Sequence, residues 1–214
     1  MKDTKKTIFK IILFSLLVGL MFVFSWTPLG MVPLGAASAT TIFIPLCVGI
    51  CYFKDFKYSI LLGLAFGVVS LIRAFVPNGP LDPYFQNPIV SVLPRTIVGL
   101  MGYLVYLVFS KTKGIVKYPI VGGMVALLNT IFTMGTLLLV YYKDISNLVN
   151  NDFSMTVGAL LGSIVLLNML PEIAFGAIIT PLIMFALDKI TKREPLNEDE
   201  LELEKIDNIN PNMK

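Results

Sequence analysis

Five polar side chains interrupt otherwise apolar stretches of this sequence: Arg95 in SVLPRTIVG, Asn129 and Thr133 in LLNTIFTMGT, and Asn168 and Glu172 in LLNMLPEIAFG. Ionisable groups are costly in apolar surroundings and face a cavity or a partner when they occur there. Helical spacing gathers these residues onto faces. Asn129, Thr133 and Thr136 follow i, i+4, i+7; Asn168, Glu172, Gly176 and Thr180 follow four-residue steps; Ser91, Arg95, Gly99 and Gly102 share a third face. Three such faces, if they converge, line a pocket. A guanidinium in that pocket matches the planar geometry of a carboxylate or phosphate. The amides of Asn129 and Asn168 and the Thr133 hydroxyl would exchange hydrogen bonds with the amides or hydroxyls of a ligand. A second reading is an internal Arg95–Glu172 ion pair with the asparagines joining helices to one another. The two readings are compatible, and residue types alone leave both open.

Other chemistries lack their parts. The chain has no histidine, which removes His-based zinc sites and Ser-His nucleophiles. Cys47 and Cys51 lie one helical turn apart in an apolar run, poorly placed for a disulfide and too few for a metal site, so they read as packing residues. Glu172 is the sole deep acid, so paired-carboxylate catalysis has no second member. No G-x-x-x-x-G-K-[ST] loop occurs. The expectation is a protein that is not an enzyme, carries no metal or cofactor and has no nucleic-acid partner.

Apolar residues make up 56% of the chain and charged ones only 14%, well under the roughly 25% usual in soluble proteins. The apolar residues form blocks near the ~20 residues that a helix needs to cross a bilayer. The expected fold is therefore an all-α integral membrane protein with six transmembrane helices. They run over about Thr7–Trp26, Ala39–Phe53, Tyr58–Val76, Val90–Ser110, Pro119–Tyr142 and Met155–Ile190. The first run is too long for the core of a signal peptide, and the small residues Ala37-Ser38-Ala39 come too far behind it. Residues 1–190 are expected to form one membrane domain, and 191–214 an acidic cytoplasmic tail.

Lysines set the orientation. Lys2, Lys5, Lys6 and Lys10 precede the first span; Lys54 and Lys57 sit in KDFK; Lys111, Lys113 and Lys117 sit in KTKGIVK; Lys189, Lys192 and Arg193 follow the last span. The opposite ends offer only Arg73 and Lys143. The positive-inside rule then predicts both termini in the cytoplasm. The longer connections, FSWTPLGMVPLGAASATTIFIP, VPNGPLDPYFQNP and YYKDISNLVNNDFSM, face outward. The first of these carries no charge and is punctuated by Pro28, Pro33 and Pro45, so it is neither regular helix nor an ordinary watery loop. In the first span, Ser15 and Gly19 of ILFSLLVGLMF make a small-xxx-small pair that permits close approach by another helix.

Over residues 7–190 the chain resembles the substrate-binding S components of energy-coupling factor (ECF) vitamin transporters. The likeness rests on six spans, internal termini, the uncharged first loop before a short second span, and the Ser15/Gly19 pair where the family commonly carries alanines. TPLGMVPLGAASATTIFIP, SILLGLAFGVVSLIRAF and NPIVSVLPRTIVGLMGYLVY look most like the pantothenate-type branch. The resemblance implies a multi-pass protein of the cell membrane that binds a water-soluble vitamin from outside. It implies association with a membrane coupling protein (the T component) and two cytoplasmic ATPases, docking through Ser15 and Gly19, and delivery of the vitamin by toppling. Pantothenate carries a carboxylate for Arg95, and an amide and two hydroxyls for Asn129, Thr133 and Asn168, with Glu172 in the same substrate-binding set. Trp26, Tyr84 and Phe85 would supply apolar lid contacts. Riboflavin, folate or thiamine on the same scaffold, and a standalone secondary transporter, are the alternatives.

Overall fold

The computed structural model describes residues 2–34, 37–76, 82–148 and 168–192. Six helices are described: α1 (Lys2–Trp26), α2 (Ile44–Phe53), α3 (Phe56–Ala74), α4 (Pro88–Val108), α5 (Gly114–Leu148) and α6 (Leu170–Lys192). A small antiparallel hairpin, β1 (Met31–Leu34) and β2 (Ala37–Thr40), stands between α1 and α2 in the register Met31↔Thr40 to Leu34↔Ala37. The chain divides into a unit Met1–Met184, which contains everything discussed below, and a unit Phe185–Lys214, whose described part is the closing stretch of α6. The expected tail from residue 193 onward and the first part of the expected last span, 155–167, lie outside the described residues, while residues 191–192 close α6.

Among the described residues, five helices are long and apolar enough to cross a membrane: Thr7–Trp26, Phe56–Ala74, Pro88–Val108, Gly114–Asp144 and Leu170–Thr191. The second expected span differs. Ala39 and Thr40 belong to β2, and the helix that follows has 10 residues, about 15 Å, roughly half the thickness of a hydrocarbon core. The hairpin consumes the chain that a full span would need, and Pro45 in the first turn starts the helix late. Apart from Tyr52, every residue of α2 is buried. A helix apolar on all sides belongs in the interior of a bundle, and α2 is that core element.

Ring contacts and close backbone approaches give the directions of the helices. Phe9 meets Tyr52, and Phe14 meets Phe53 and Tyr58, so α1 and α3 begin where α2 ends. At the other end, Arg73 of α3 donates from Nε to the Ser25 carbonyl of α1 at 3.0 Å. Hence α1 and α3 are parallel, and the hairpin with α2 returns the chain between them. Gly63 and Gly67 of α3 let the backbone of α4 come close: a Cβ at Gly63 would lie 2.6 Å from the Arg95 carbonyl oxygen, and one at Gly67 would lie 2.7 Å from the Val92 Cα. Gly122 of α5 and Gly176 of α6 do the same for each other. Large apolar side chains such as Ile12, Leu16, Leu139 and Leu182 point outward and are exposed, as suits helices solvated by lipid.

Helix boundaries follow local chemistry. Asp55 and Asn87 cap α3 and α4 by accepting from the amides of Lys57 and Ile89 at 2.7 and 3.0 Å, so each helix starts two residues before the apolar run suggests. Past the expected end at Tyr142, α5 continues to Leu148, with a break from helical geometry at Tyr141.

Candidate functional site

The ends of α1 and α3, the hairpin, α4, α5 and the beginning of α6 enclose a cavity of about 520 Å³, within the usual range of small-molecule sites. Its buried cation is Arg95, the eighth residue of α4. Pro94 has no amide hydrogen, so the Val90 carbonyl lacks its helical donor. Arg95 turns back toward that gap: its Nη1 donates to the Ser91 carbonyl at 2.8 Å and reaches the Val90 carbonyl at 3.4 Å. The rings of Phe66 and Phe85 lie 5.2 and 5.6 Å from the guanidinium carbon and hold the group by cation–π attraction. Arg95 is buried, and its Nε has no hydrogen-bond partner among the described residues.

Two further polar atoms on the same cavity share that condition. Asn129 Oδ1 and Thr133 Oγ1, four residues apart on α5, are buried without a partner among the described residues. Buried polar groups are normally satisfied, and leaving one unpaired costs about 1–3 kcal/mol. One donor and two oxygen sites on residues that line a single cavity thus have nothing among the described residues to complete them.

Glu172 lies elsewhere on the cavity wall. Its Oε1 accepts from the Thr40 amide of β2 at 3.1 Å, and its Oε2 accepts from Thr130 Oγ1 at 3.2 Å. No ion pair joins it to Arg95 among the described residues, because both groups take their bonds from backbone and hydroxyl groups instead. Asn168 lines the cavity from a π-helical turn immediately before α6. Such turns recur at functional sites because they aim a side chain that a regular helix would direct elsewhere.

Of the apolar candidates, Trp26 and Phe85 line the cavity and Tyr84 does not. Tyr84 meets the Tyr141 ring at a tilt, with centroids 5.0 Å apart, and packs against Val90 and Leu137. Phe85, its neighbour in the 3-10 turn Asp82–Gln86, packs against the same two residues and also reaches Arg95. Thr136 is likewise absent from the wall and donates to its own helix at the Phe132 carbonyl, 2.7 Å away. Gly99, Gly102 and Gly176 serve helix contacts. Ser15 and Gly19 stand on the exposed face of α1, and a Cβ at Gly19 would meet nothing within 4 Å.

Several lining residues escaped the sequence reading: Thr40, Phe66, Ser70, Arg73, Thr130 and Met134. Thr130 adjoins Asn129 and precedes Thr133 by three, which is a usable signal. Arg73 is a lone cation at the lysine-poor end of its helix, a second usable signal. Nothing in the sequence marks Phe66.

A family model described as ECF transporter, substrate-specific component, matches residues 9–184. No curated protein matches the chain.

Proposed function

The chain belongs to the family of ECF transporter substrate-specific components, and from that premise we propose that it captures pantothenate for an ATP-driven importer. Membership of the family implies a multi-pass membrane protein that takes up a vitamin and works with a T component and ATPases; it is a family of transporters rather than enzymes. The observation that carries the choice of vitamin is a set of atoms, on residues of one cavity wall, that have no partner among the described residues: Arg95 Nε, Asn129 Oδ1 and Thr133 Oγ1. A carboxylate on Arg95, with amide and hydroxyl groups on Asn129, Thr133 and Asn168, completes them. Glu172 takes further hydroxyl donors on its remaining lone pairs. Trp26 and Phe85 close the apolar part of the envelope, and the hairpin that ends at Thr40 covers the site.

The molecule in this reading has six membrane segments, with the hairpin and α2 together making the second, and both termini are cytoplasmic. The parallel run of α1 and α3 supports an even return between them, and the lysine clusters support the orientation. The cavity then opens outward. Ser15 and Gly19 form the face against the coupling protein, and toppling against it presents the vitamin inside.

Thermal unfolding of the purified protein against a vitamin panel tests the assignment. Pantothenate should raise the midpoint at low concentration, because a ligand bound only by the folded state stabilises it. A rise with riboflavin, folate or thiamine and none with pantothenate overturns it.

A further inference from the structure

We propose that Arg73 is a second anion-recognition residue of this cavity, a guanidinium at its mouth that captures the anionic group of the ligand ahead of Arg95 and selects for small monoanions. The proposal rests on the vitamin-capture reading above and adds a residue and a route to it. Both arginines line the same cavity. The contacts of α3 give their relative depth. Phe66 lies against the Arg95 guanidinium, and Arg73 follows seven residues later on the same helix, about 10 Å farther along the axis toward the connection between α3 and α4. An anion approaching from that end meets Arg73 first.

The group is held ready. Its Nε donates to the Ser25 carbonyl at 3.0 Å, its Nη1 donates to the Val76 carbonyl, and its guanidinium carbon sits 5.8 Å from the centre of the Trp26 ring. Trp26 also lines the cavity and is 52% exposed, so the pair forms a rim of cation and ring. The lysines that set the orientation cluster at the other ends of the helices, which leaves Arg73 outside that pattern. The charge of the wall points the same way. Two arginines face one carboxylate among the described lining residues, and Glu172 is bonded to Thr40 and Thr130, not to either arginine. The excess positive charge is lodged between apolar walls, where a cleft concentrates its field and raises the encounter rate with anions by about 10- to 1,000-fold. Arg95, buried deeper, would retain what Arg73 collects.

The test is the association and dissociation kinetics of pantothenate with the purified full chain at low and high ionic strength, for wild type, Arg73→Gln and Arg73→Lys. Arg73→Gln should slow association about tenfold at low salt and change dissociation by less than about twofold, and the difference should shrink at high salt. Arg73→Lys keeps the charge and should keep the wild-type rate and salt dependence. Pantothenol, which has a hydroxyl in place of the carboxylate, should associate equally with wild type and Arg73→Gln. Unchanged pantothenate association in Arg73→Gln overturns the proposal, as does an effect confined to dissociation. So does Arg73→Lys behaving like Arg73→Gln, which would mark a purely structural tie to Ser25. If Arg73→Gln does not fold, salt-independent association by the wild type is the overturning result. Pantothenate binding with an indifferent Arg73 removes this inference alone. Binding of a neutral or cationic vitamin and no pantothenate removes the monoanion assignment together with it.

Discussion

At the scale of single residues, Pro94 and Arg95 act as a pair. The proline frees a carbonyl, the arginine turns back to bond it, and two aromatic rings fix the guanidinium plane. Nε is left buried, with its hydrogen unmatched among the described residues. Lysine would keep the charge and lose the planar fork. Truncating one partner of a buried, hydrogen-bonded charge pair costs about 2–5 kcal/mol, so Arg95→Ala should weaken pantothenate binding by roughly thirtyfold or more. Arg95→Lys should fall between it and the wild type. Calorimetric titration of variants whose detergent-solubilised fold is intact measures both, and wild-type affinity in Arg95→Ala removes the residue from the site.

Among elements, the hairpin β1–β2 is held at its base. Thr41 donates from its amide to the Gly30 carbonyl at 3.0 Å, and Glu172 accepts from the Thr40 amide while also bonding Thr130. One carboxylate thus joins β2, α5 and α6. Hydrogen bonds to a charged group contribute about 1.5–3 kcal/mol. Glu172→Ala should therefore speed hydrogen exchange at the Thr40 amide by about tenfold or more. Glu172→Gln, which keeps one acceptor oxygen but loses the charge, should fall between Glu172→Ala and the wild type. Equal exchange in all three proteins would show that the hairpin is held by other contacts. The two-stranded form also explains how a segment with Pro33 enters a sheet. A strand with a single neighbour has an edge free of ladder bonds, and proline is tolerated at such an edge.

For the molecule as a whole, the cavity and the exposed face of α1 are separate surfaces. Ser15 and Gly19 do not line the cavity, and Gly19 has room around it. Under the proposed mechanism these surfaces have separate duties. Gly19→Leu should leave pantothenate affinity within about twofold, since the change lies outside the binding wall, but it should reduce vitamin uptake by cells or reconstituted vesicles to near background. Copurification with the T component and ATPases should fall in parallel. Uptake at the wild-type level would move the docking face elsewhere. Loss of affinity would show that position 19 is coupled to the binding wall, which α1 reaches only at its far end through Phe24, Ser25 and Trp26.

Several features were legible in the residues alone. Apolar blocks of bilayer length require helices, because only internally bonded backbone is stable in lipid. Arg95, Asn129, Thr133, Asn168 and Glu172 were conspicuous because polar groups are expensive in such surroundings. Which members of each polar stripe meet the cavity was decided by tertiary structure. A helical face is broad, and its final rotation depends on where a neighbour can come close. The Gly122–Gly176 approach brings Thr130 to Glu172, while Thr136 is left to bond its own backbone. The same holds for Phe85 over Tyr84, for the hairpin that shortens α2, and for Arg73 on the cavity wall. Each depends on contacts between residues distant in sequence, and local spacing carries no record of them.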